Sequence, residues 1–100
     1  GYSPEFAAAA ANAPACITPK AAEAGMASLP GVKLVKTFKG AEAKAFVSAT
    51  GGPGEKADRV MVWRFGEDHD RALVGVFSKG CAIATGKFPW GAISPLLTSF

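Results

Sequence analysis

The chain is poor in the residues that do chemistry. It has one histidine, His69, so every histidine mechanism rests on that residue. It has two cysteines, Cys16 and Cys81, and no Cys-x-x-Cys, which excludes a thioredoxin-type redox pair and a zinc ribbon. No apolar run approaches the roughly 18 residues of a membrane-crossing helix. Charged residues make up 19% of the chain and the net charge is +3. A nucleic-acid domain carries denser basic charge with interleaved exposed aromatics, so nucleic acid is not an expected partner. No internal repeat is present, and no cofactor motif survives inspection. Gly51 to Lys56 lacks the spacer and hydroxyl residue of a phosphate loop and runs from helix to strand, the wrong order. Thr85-Gly86-Lys87 is followed by Phe88 where Ser or Thr would stand.

What is present is enough for one small core. At 100 residues a single domain is feasible and a second is not. The hydrophobic share is 49%, but 20 of those residues are alanine, seven of them within residues 1–15. Gly1 to Phe6 reads as a cloning or cleavage remnant, unlike anything that follows. Ala7 to Ala15 resembles the small-residue junction that signal peptidase reads, with an Ala-rich linker as the plainer alternative. Residues 1–15 are therefore expected to be disordered, a tag remnant plus an export junction, with one domain over 16–100. Two cysteines in an exported chain usually pair, so a Cys16–Cys81 disulfide is expected in preference to two unpaired thiols.

The pattern predicts the order α-β-α-β-β-β-α. Thr18 caps a helix over 19–28 with Pro19 at its first position, and Ala22, Met26 and Leu29 form its apolar stripe. Val32 to Phe38 reads as a strand of imperfect alternation, Val32, Leu34 and Phe38 sharing a face with Lys36. Gly40 to Thr50 reads as a helix with Ala43, Phe46 and Val47 on one side. Asp58 to Phe65 and Arg71 to Lys79 read as strands joined by the five-residue loop Gly66–Asp70. Cys81 to Phe88 is a fourth strand, and Ser94-Pro95 starts a short helical turn. The first strand, second helix and second strand suggest a right-handed parallel crossover, followed by an antiparallel meander. The expected fold class is α+β, a two-layer α/β sandwich with a mixed four-stranded sheet and helices mainly on one face.

Three groups of residues are candidates for function. Asp68, His69 and Asp70, beside Glu67, offer carboxylate and imidazole ligands for a divalent metal, but consecutive residues on a hairpin tip point apart, and a solvated turn is the simpler reading. A Cys81–His69 dyad requires a free thiol, and the loop and Gly80 lie at opposite ends of a strand, roughly 25 Å apart. Lys33, Lys36 and Lys39 form the main basic run. Simple alternation puts Lys33 and Lys39 on one face and Lys36 on the other, so they suit weak anionic-ligand binding or a solvated edge. The uncharged segment from Phe88 onward carries Phe88, Trp90, Leu97 and Phe100, which pack either over a core edge or on a partner. These observations favour an exported domain, periplasmic or secreted, without cofactor or catalytic set. Its partner would be another protein in the cell envelope or outside the cell. A small metal-dependent or hydrolytic enzyme on the 68–70 loop is the alternative.

Overall fold

The computed structural model describes residues 16–52 and 54–100. The expectations for residues 1–15, and the turn residue Pro53, lie outside the described residues. The elements are α1 (Pro19–Ala27), β1 (Lys33–Lys39), α2 (Ala41–Ala49), β2 (Arg59–Phe65), β3 (Arg71–Ser78), β4 (Cys81–Pro89), α3 (Trp90–Ile93) and a 3-10 turn (Ser94–Thr98). The fold is α+β. Local chemistry explains several boundaries. The Thr18 hydroxyl accepts the Ala21 N–H at 3.1 Å, capping α1. β3 and β4 meet at Lys79-Gly80, both with positive φ, the geometry of a tight two-residue hairpin turn. The Lys79 N–H donates to Asp58 Oδ2 at 2.7 Å and ties that turn to the start of β2.

The sheet is wholly antiparallel, in the order β1-β2-β3-β4. The expected parallel crossover and mixed sheet are therefore corrected. Gly40 N–H donates to the Asp58 carbonyl at 2.9 Å, so the excursion through α2 leaves and re-enters at the same end of the sheet. β2 then runs back beside β1, with Phe38 opposite Val60 and Lys39 opposite Arg59.

Helices cover both faces, which corrects the two-layer, one-sided expectation. On one face, Phe38, Val60, Val62, Val74 and Val76 pack under Ala43, Phe46 and Val47 of α2 and under Ile93 at the chain's end. Phe38 and Phe46 stack with ring centroids 4.9 Å apart. On the opposite face, Met61, Trp63, Phe77 and Ala82 form a smaller cluster beneath Ala22 and Met26 of α1. Leu29, placed by spacing in the α1 stripe, is exposed because the chain has already left the helix. α1 itself contains no buried residue.

Two irregularities redistribute side chains. The β1–β2 register slips between Leu34 and Lys36. This bulge at Val35 puts Leu34 opposite Trp63 on the α1 face and Phe38 opposite Val60 on the α2 face, so Val32, Leu34 and Phe38 do not share a face. A second slip sets Ala82 opposite Phe77 and Ala84 opposite Val76, dividing the small residues of β4 between the faces.

Candidate functional site

The disulfide is present. Cys16 and Cys81 are bonded with Cα atoms 5.1 Å apart, and no described cysteine is free. This removes the Cys81–His69 dyad, since the nucleophile would need a thiol. Beside the bridge, Ala82 N–H donates to the Ile17 carbonyl at 2.8 Å. The residues before α1 are thus pinned along β4, and α1 leaves this anchor to lie across the sheet.

Under α1 is an open cavity of about 380 Å³. Trp63, Leu73, Gly75 and Phe77 form its floor, and Ala22, Gly25 and Met26 its roof. Ile17 and Ala82 line the end nearest the bridge. The floor exists because Gly75 lacks a side chain. A Cβ there would lie 3.2 Å from Trp63 Cζ3 and 3.3 Å from Phe77 Cε1, so the two rings close directly against the backbone. The roof is shallow because Ala22 and Gly25, one turn apart, present almost no side chain. Thr85 supplies the one hydroxyl among the described lining residues, and its Oγ1 donates to the Val74 carbonyl at 3.0 Å. None of the described lining side chains is ionisable. The chemistry available is therefore sequestration of apolar surface, worth about 25 cal/mol per Å² removed from water. The volume falls in the range of small-molecule sites, roughly 300–1,000 Å³.

The sequence candidates lie elsewhere. Asp68, His69 and Asp70 are exposed on the β2–β3 loop. The loop is shaped by backbone bonds: His69 N–H donates to the Gly66 carbonyl, and the His69 carbonyl accepts from Arg64 Nε at 2.5 Å. Among the described residues no group of three or more His, Cys, Asp or Glu is placed to hold a metal ion.

Phe88 is buried in the α2-side core, and Trp90 and Leu97 pack partly buried against it. The Arg64 guanidinium lies 4.2 Å from the Trp90 ring centroid, so that ring already has a partner. Phe100 is exposed and meets Phe38 edge-on at 6.2 Å.

The lysines are arranged differently from simple alternation. Lys33 stands opposite Arg64 and Lys36 opposite Val62, and both of those partners belong to the α2 face. Lys39 stands opposite Arg59 on the α1 face. The bulge at Val35 is the reason.

The cavity was missed by reading the sequence alone. Its one signal was Gly75 in mid-strand, between Leu73 and Phe77, a position that often marks close approach of a ligand or backbone. Comparisons with protein families, curated proteins and solved structures find no match.

Proposed function

We propose that this chain is a small, non-enzymatic binding module of an oxidising compartment, periplasmic or secreted, that takes up an apolar molecule between α1 and the sheet. The observation that carries the reading is the cavity of about 380 Å³, with its aromatic floor and no ionisable side chain among the described lining residues. The Cys16–Cys81 bridge supports the compartment, because disulfides persist where thiols are not kept reduced. The bridge also suits the function, since it holds the roof in place without filling the space below it.

A partner protein reached through Phe88–Phe100 has less to hold, with Phe88 in the core and Trp90 on Arg64. An enzyme on the 68–70 loop would need ligands gathered from other elements.

The test is a titration with octanol, followed by the fluorescence of Trp63 in the cavity floor. Gly25→Leu is the blocking variant: Gly25 lines the cavity, and nothing lies within 4 Å of a Cβ built there, so a leucine is added at the cavity's edge without a clash. Saturable binding by the wild type, weakened at least about tenfold in Gly25→Leu at unchanged melting temperature, supports the reading. Equal binding by both proteins, or none by either, overturns it.

A further inference from the structure

The apolar cavity has a basic neighbour on the same face of the sheet. A second groove is lined by Thr18, Lys20, Lys39, Asp58 and Arg59. The two have neighbouring residues in the chain and across the strands. Ile17 of the cavity precedes Thr18 of the groove, and Phe77 of the cavity floor is the cross-strand partner of Arg59. Arg59, Met61 and Trp63 alternate along β2, so Arg59 points to the α1 side with the cavity floor.

Lys39 stands directly opposite Arg59, and like charges in that position destabilise a sheet. Among the described residues neither has a side-chain hydrogen bond or ion pair to offset this, and Lys20 has none either. Asp58 is the one acid among the described residues of the groove, and its Oδ2 accepts from the Lys79 N–H. Lys20, Lys39 and Arg59 therefore line a groove beside the apolar cavity, with the Asp58 carboxylate as their counter-charge, a net positive site.

The geometry points to a ligand that is a small amphipathic anion. Its apolar chain lies under α1 over Gly75, and its terminal carboxylate sits between Lys39, Arg59 and Lys20. This rests on the proposed uptake of an apolar molecule and names its chemical class. Arg59, half-buried between Lys39 and Phe77, is suited to a planar carboxylate through its guanidinium fork. The first turn of α1 adds the favourable end of its helix dipole.

The experiment compares octanoate with octanol on the intact protein, using wild type and the double variant Lys39→Gln/Arg59→Gln. Wild type should bind octanoate about tenfold more tightly than octanol, the gain of a charge-assisted hydrogen bond. That preference should shrink as salt is raised. In the double variant octanoate should fall to the affinity of octanol, with octanol unchanged. Octanol binding with no preference for octanoate would overturn the anionic class and leave the apolar cavity standing. Loss of both probes equally in a folded double variant would also overturn it, because the cations would then act through structure. No binding of either probe, or dimerisation that covers the cavity, would overturn both inferences.

Discussion

Replacing Cys16 and Cys81 by serine removes the cross-link that ties the residues before α1 to β4. The bridge closes a loop over a sequence separation of 65, for which the loop-entropy relation gives on the order of 4 kcal/mol. A domain of this size shifts its melting temperature by about 4–8 °C per kcal/mol, so a drop of roughly 15–30 °C is expected. The structure also says where the loss is first felt. α1 has no buried residue, and only Ala22 and Met26 are packed partly buried against the cluster beneath it. Without the bridge, α1 should open ahead of the sheet and uncover Trp63 and Phe77. Calorimetry reads the first effect. Hydrogen exchange reads the second, as lost protection over residues 19–27 while β2 and β3 stay protected. A fall of less than about 5 °C with α1 still protected would refute the argument, because α1 would then be held by packing alone.

Two further substitutions test the framework. Phe46→Ala removes a fully buried ring stacked on Phe38 and should lower stability by about 3–5 kcal/mol in urea unfolding. Thr18→Ala removes the α1 cap and should cost about 1 kcal/mol, read as faster hydrogen exchange confined to the first turn of α1.

Much of the local structure was legible in the sequence, because its signals are local. Thr18-Pro19 marks the start of α1, and the polar run Gly66–Asp70 is the loop between β2 and β3. The clean alternation of Met61 and Trp63 against Val60 and Val62 put the right residues on each face. The pairing of the two cysteines followed from their number. What failed was set by longer-range geometry. A helix between two strands suggests a parallel crossover, and nothing in residues 40–58 announces the Gly40–Asp58 bond that returns the chain to the same end.

The bulge at Val35 was visible only as a fault in the pattern, with Lys36 among apolar neighbours. Edge-strand tolerance explained that fault equally well. The face chosen by α1 was hidden because its side chains are mostly alanine and carry little directional preference. The cavity combines these blind spots. It depends on which face α1 covers and on what Gly75, Ala22 and Gly25 leave unfilled.

The most direct measurement is an isotope-filtered NOE experiment on the protein saturated with unlabelled octanol. The account predicts cross-peaks from the octanol chain to the Met26 methyl group and to the Trp63 and Phe77 rings, with all three lost in Gly25→Leu. Cross-peaks confined to Trp90, Leu97 and Phe100 would contradict it and place the binding surface at the other face of the sheet.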